Sequence, residues 1–297
     1  MKRINKVLLA GLILVSSIAC TQEKKTTEKK IVKQSYQEHS PIKHHEVALE
    51  VLQASKNWIK EFNKGNAEAA VRGYEKNAVM SAIPVGIKKG TKEISEFWTP
   101  FIKSGATNLI YTNVSVEVSN ETTAFLSANW SMNVGRGVIF QEKWEKKEGK
   151  WLLTYDNFQI LEQFKEPKEN KTNPIGSHLV LEEVITTSMN WIKGFNSGKV
   201  EICANGYAED ATMNATPFAF LHNKKDIKGF WSKLISDGAK NLIYHKPAFK
   251  DITGNSAILS SQWSMNIGEG KIYQEKWEKK DGKWGLTYDE FEALKKY

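Results

Sequence analysis

LIYTNVSVEVSNETTAFLSANWSMNVGRGVIFQEKWEKKEGKWLLTYDNFQIL, residues 109–161, is the stretch that decides the fold. Within it Ala124, Leu126, Ala128, Trp130 and Met132 alternate with Ser127, Asn129, Ser131 and Asn133. A period of two is the mark of a strand with one face against a core, here the face carrying Trp130 and Met132. The spacing predicts consecutive strands over 109–118, 123–134, 137–147 and 151–161, with Gly135, Gly137 and Glu148-Gly149 at the tight connections. The expected sheet is therefore an antiparallel meander.

Upstream the period is that of a helix. Val51, Leu52, Trp58, Ile59 and Phe62 form one stripe, closed by Gly65, and a shorter helical stretch leads to Tyr74. A short apolar segment ends at Pro84, and a third helix carries Ile94, Phe97, Trp98 and Ile102. Three helices followed by a meander is an α+β layout, in which the helices cover one sheet face and a curved sheet leaves a cone-shaped cavity.

Shifted by 133 residues, the chain aligns with itself without a gap. Trp58 meets Trp191, Tyr74 meets Tyr207, Trp98 meets Trp231, Trp130 meets Trp263 and Trp151 meets Trp284. About half of the pairs between positions 58 and 161 and their matches are identical, so the halves arose by duplication. The expected domains are 44–164 and 177–297, joined by a Lys-, Asn-, Pro- and Gly-rich linker over 165–176. The gapless offset predicts that the copies dock sheet to sheet as an intrachain pseudo-dimer, or that the protein forms a homo-oligomer.

Residues 1–20 read as an export signal, with basic Lys2-Arg3, the apolar run VLLAGLILV over 7–15, and SSIAC ending at Cys20. Small residues before a cysteine resemble the lipobox of bacterial lipoproteins, which implies acylation of Cys20 and a membrane-anchored place in the cell envelope, on its periplasmic or surface side. Cleavage after Ala19 is the alternative. The polar stretch over 21–43 reads as a flexible tether. His39, His44 and His45 lack the spacing of a metal site and read as an exposed polar approach to the first helix. No metal or cofactor is expected. With Cys20 assigned to the signal, Cys203 has no disulfide partner and reads as a small buried thiol.

A formal charge of +8 suggests nucleic acid until Lys2, Arg3 and Lys6 are removed with the signal, leaving 39 basic residues against 34 acidic. Only Arg72 and Arg136 remain as arginines, and the lysines are dispersed among glutamates. Nucleic-acid recognition relies on arginine clusters, so that class is set aside.

The order of elements resembles the nuclear transport factor 2 and SnoaL-like superfamily: Trp in the first helix, Tyr74 before an Ala-x-Met strand, Phe97-Trp98 in the third helix and a closing EGKWLLTYDNF. The resemblance covers most of 44–162 and 177–295. It implies a cone used either for proton transfer on small hydrophobic molecules or for binding alone, and fold does not choose between them. Enzymatic members generally place an Asp-His pair, or a Tyr with an Asp, in the cone. Here the closing strands of the first copy hold no histidine, while His245 in the second copy matches Thr112.

Strand parity supplies the candidate site. Glu142 shares a face with Phe140 and Trp144, and Glu275 with Tyr273 and Trp277; these two are the candidate catalytic acids, with Tyr74 or Tyr207 nearby. The expected pocket residues are Tyr74, Trp98, Trp130, Met132 and Tyr155, with Tyr207, Trp231, Trp263, Met265 and Tyr288 in the second copy. Parity puts Tyr155 with Trp151 and Leu153, and Asp156 on the opposite face. The leading expectation is a binding module for a small hydrophobic ligand. The alternatives are an isomerase, dehydratase or cyclase, and a structural or interaction module.

Overall fold

The computed structural model describes residues 40–297, of which 41–297 form one compact unit. The expected signal, Cys20 and nearly all of the tether lie outside the described residues. Among the described residues no helix is long and apolar enough to cross a membrane.

The first copy opens with α1 (Lys43–Asn63), whose inward stripe includes Val51, Leu52, Ile59 and Phe62. Each of these fully buried side chains contributes roughly 1.5–3 kcal/mol. A turn through Gly65, at φ +75°, reverses the chain into α2 (Ala67–Arg72), capped by the Asn66 side chain accepting from the Ala69 backbone N–H. The Trp58 indole N–H donates to the Ala70 carbonyl at 3.0 Å and pins α2 onto α1. Then come β1 (Tyr74–Ile83), β2 (Gly86–Lys89), α3 (Gly90–Lys103), β3 (Ile110–Asn120), β4 (Thr123–Met132), β5 (Gly135–Lys147) and β6 (Lys150–Gln163).

The second copy repeats the order: α4 (Gly176–Asn196), α5 (Val200–Asn205), β7 (Tyr207–Thr216), β8 (Ala219–His222), α6 (Lys224–Ser236), β9 (Ile243–Asp251), β10 (Ser256–Met265), β11 (Gly268–Lys280) and β12 (Lys283–Lys296). Each copy is thus three helices on a curved sheet. Two details differ from expectation. The Ala-x-Met strand runs the length of Tyr74–Ile83 as β1 and pairs in parallel with β6, where an antiparallel meander was expected, so the sheet is mixed. Glu75, Lys76 and Asn77 interrupt its alternation where the register slips between Tyr74 and Val79. Gly137 lies within β5 and serves a close approach, not a turn. A Cβ there would sit 1.9 Å from the Gln159 carbonyl oxygen and 2.5 Å from the Trp130 ring.

All twelve strands join in one sheet of order β2-β1-β6-β5-β4-β3-β9-β10-β11-β12-β7-β8. The copies therefore meet edge to edge, β3 antiparallel to β9 through Ser115–Lys250, Val116–Phe249 and Glu117–Ala248, where apposed sheet faces were expected. Helices α1 and α4 pack across the same junction. His45 Nε2 lies 3.0 Å from Ser188 Oγ, and Ser55 Oγ lies 3.0 Å from His178 Nε2. All four are buried, which corrects the reading of His45 as part of an exposed stretch. The two contacts are equivalent under the 133-residue repeat, as a pseudo-twofold contact requires.

Candidate functional site

The β5–β6 ladder slips register three times, and two of these bulges assemble the polar centre of the first cone. In their ladder Ile139 faces Phe158 and Gln141 faces Asn157, leaving Phe140 as the extra residue on β5; Lys143 faces Tyr155 and Trp144 faces Leu153, leaving Thr154 extra on β6. Each bulge reverses the parity of the strand beyond it. Glu142 stays inside with Trp144, while Phe140 turns out to half exposure. On β6 the reversal brings Asp156 inside with Leu153 and Phe158 and leaves Tyr155 only partly buried on the other side. The expected positions of Phe140, Tyr155 and Asp156 are corrected accordingly. Tyr273 and Thr287 are the corresponding extra residues in the second copy, with the same results for Tyr273, Tyr288 and Asp289.

Glu142 and Asp156 are directly opposed across the ladder and are 2% and 5% exposed. Tyr74 Oη donates to Asp156 Oδ2 at 2.6 Å, and the Trp98 indole N–H donates to Tyr74 Oη at 3.1 Å. Tyr111 Oη and the Trp144 indole N–H, both at 2.9 Å, donate to Oε1 and Oε2 of Glu142. The second copy matches bond for bond. Tyr207 donates to Asp289 at 2.5 Å and Trp231 to Tyr207 at 3.1 Å, while Tyr244 and Trp277 donate to Glu275 at 2.7 and 3.1 Å.

Two carboxyls this close in a dry interior cannot both ionise cheaply. Burial, then the adjacent aspartate, push Glu142 and Glu275 up to about 8. Burial raises Asp156 and Asp289 as well, while the hydrogen bond from Tyr74 or Tyr207 pulls the other way. The pair as a whole is therefore biased toward holding one proton near neutral pH. Burial foremost holds Tyr74, Tyr111, Tyr207 and Tyr244 well above the ordinary tyrosine range.

Each network closes the base of a cavity. The first measures about 190 Å³ and the second about 730 Å³. Of the expected pocket residues, Trp98, Trp130 and Met132 line the first and Trp231, Trp263 and Met265 the second. Tyr74, Tyr207, Glu142 and Glu275 stand behind the lining, with both oxygens of each glutamate already taken. Tyr155 and Tyr288 do not reach the cavities, and Tyr288 donates to Glu290 at 3.0 Å. The buried carboxylates that face the cavities are Asp156 and Asp289, beside Tyr111 and Tyr244. Parity alone missed the aspartates. Tyr111 and Tyr244 had a signal, the NLIY run at 108–111 repeated at 241–244.

Such a site can seat an apolar body against the aromatic walls and offer one aspartate oxygen to a polar group on it. Among the described residues no cluster of three or more His, Cys, Asp or Glu side chains could hold a metal ion. Cys203 is buried, its thiol pushed up to about 12 by burial, and it lies outside both linings.

No family model matches the chain, and no curated protein does. Solved structures do match. A nuclear transport factor 2-like protein of unknown function from Shewanella oneidensis is 18% identical, over 37% of this chain and 96% of its own, with a TM-score of 0.34. A putative scytalone dehydratase from Novosphingobium aromaticivorans is 12% identical, over 40% and 87%, with a TM-score of 0.36. A protein of unknown function with a cystatin-like fold from Nostoc punctiforme is 16% identical, over 38% and 89%, with a TM-score of 0.34. The chain is thus similar, over about the length of one copy, to solved proteins described as nuclear transport factor 2-like, scytalone dehydratase and cystatin-like.

Proposed function

We propose that the protein is an exported, membrane-anchored binding module that holds a small apolar ligand in a cone. The observation that carries this reading is the cavity of about 730 Å³, walled by Trp231, Trp263, Phe230 and Phe291 and carrying a single interior carboxylate. That volume lies within the range of roughly 300–1,000 Å³ usual for small-molecule sites. Untargeted mass spectrometry of small molecules released from the purified full chain tests it. An apolar compound at a stoichiometric amount is expected, and a chain that carries none and takes up none from an apolar extract would refute it.

A second reading, proton transfer by an isomerase, dehydratase or cyclase, is favoured by Asp289, a cavity-facing carboxylate that burial shifts toward neutrality. Against it stands the duplication. The Glu-Asp-Tyr-Tyr network is the same in the first copy, whose cavity is too small for most substrates, so the network serves the core of the fold in both. Both glutamates, moreover, are sealed off by donors from the protein. Turnover that vanishes in Asp289→Asn while binding survives would reverse this ranking.

The anchor rests on the apolar run over 7–15 and the small residues before Cys20. Cys20→Ser is expected to move the protein from the membrane fraction to the soluble one.

A further inference from the structure

The polar base is identical in the two copies, yet the cavities differ almost fourfold in volume. The difference traces to positions that the repeat makes equivalent. On α3 of the first copy Phe101 lines the small cavity, its ring 6.4, 6.2 and 6.0 Å from those of Phe62, Phe97 and Trp98. The matching residue on α6 is Leu234. On β6 Ile160 lines the small cavity, and its match on β12, lining the large one, is Ala293. The second cone thus carries less bulk at two lining positions, Leu234 and Ala293, while at a third Phe218 stands where the first copy has Val85. Aromatic and aliphatic interiors pack to crystal-like density, so a cavity of this size in the second cone is unlike an ordinary core.

We propose, building on the binding reading above, that the two copies have divided their roles. The second cone holds the ligand, one per chain, and the first is a filled copy that completes the shared sheet. Its ligand is an uncharged apolar molecule carrying one hydrogen-bond donor, an alcohol, phenol or amine N–H. The interior wall is aromatic and aliphatic except for Asp289, Tyr244 and the indole N–H of Trp263, which is buried without a partner, and the charged lining residues Asp226, Lys233, Asp237, Lys295 and Lys296 are exposed at the rim. Tyr207 occupies Oδ2 of Asp289. Oδ1 is the acceptor left for a donor on the ligand, while a ligand anion would be repelled by the same carboxylate.

N-phenyl-1-naphthylamine, apolar and carrying a single N–H, is the probe for a fluorescence titration of the full chain. One site per chain is expected. Leu234→Phe with Ala293→Ile restores the residues of the filled copy and is expected to weaken binding at least tenfold. Ala293→Ile alone, a milder change that spares the fold should the pair strain it, is expected to weaken it several-fold. Phe101→Leu with Ile160→Ala alters only the first cone and is expected to leave the affinity of the parent site within twofold. Two equivalent sites in the parent, unchanged affinity in both filled variants, or loss of the parent site in the first-cone variant would overturn the division of roles while leaving the binding reading intact. A parent chain that binds no probe would overturn both.

Discussion

Replacing Tyr244 with Phe removes one oxygen and leaves the ring, so it isolates the hydrogen bond to Glu275. That oxygen lies 2.7 Å from Glu275 Oε1, and the glutamate is 3% exposed, so its loss leaves a buried carboxyl short of one donor. Where Glu275 is ionised, the loss of a donor to a buried charge costs about 2 kcal/mol; where it is protonated the lost bond is neutral and costs about 1 kcal/mol. Burial sets the sign of the pH dependence. The folded protein holds Glu275 up to about 8, so its contribution is full below the unfolded value near 4.5 and is lost as pH rises through about 8. For a unit of this size 1 kcal/mol corresponds to roughly 2–4 °C in melting temperature. Tyr244→Phe is therefore expected to melt about 2–4 °C below the parent at pH 5 and about 4–8 °C below it at pH 9, read by Trp fluorescence or circular dichroism. Tyr111→Phe is expected to behave alike through Glu142. Equal losses at the two pH values, or a larger loss in acid, would refute the assignment of a buried, proton-holding carboxyl pair.

Glu142→Gln with Glu275→Gln removes both ionisations, and the decline in melting temperature between pH 5 and pH 9 is expected to flatten; an unchanged decline means that the glutamates titrate normally. Ser55→Ala and Ser188→Ala each leave a buried histidine nitrogen without its partner and are expected to cost about 1–3 kcal/mol apiece in urea unfolding at pH 7, with the double variant near the sum. Burial lowers His45 and His178 to about 3, so their contribution is present above about 6.5 and is lost as pH falls through about 3. An acid-unfolding midpoint that does not move when both histidines become Gln would contradict this.

Periodicity made the fold legible because helix and strand repeats differ and because every element is written twice. Residues 124–132 run without a bulge on their own strand, and parity placed Trp130 and Met132 against the core as found. It failed at Phe140, Tyr155 and Asp156, since a single extra residue reverses a strand and nothing in FQE or LTYD marks one. The full length of β1 was masked by Glu75-Lys76-Asn77, and its parallel pairing is a long-range choice that no local pattern encodes. The junction between copies had a readable trace. His45 and His178, like Ser55 and Ser188, are 133 residues apart, and polar identities on an apolar helix stripe mark a symmetric contact. The difference between the cones is also in the sequence, at Phe101 against Leu234 and Ile160 against Ala293, but it takes the lining of the cavities to show that these positions matter.

The most direct test of an occupied second cone uses the indole N–H signals of the ten tryptophans in a two-dimensional nitrogen–proton NMR spectrum of the full chain. The repeat supplies its own internal controls, since Trp231 and Trp263 line the large cavity and their matches Trp98 and Trp130 line the small one. With signals assigned by single Trp→Phe replacement, stoichiometric N-phenyl-1-naphthylamine is expected to shift Trp231 and Trp263 and to leave Trp98 and Trp130 in place. Equal shifts in both pairs, or shifts confined to the outlying Trp151 and Trp284, would contradict a ligand site in the second cone.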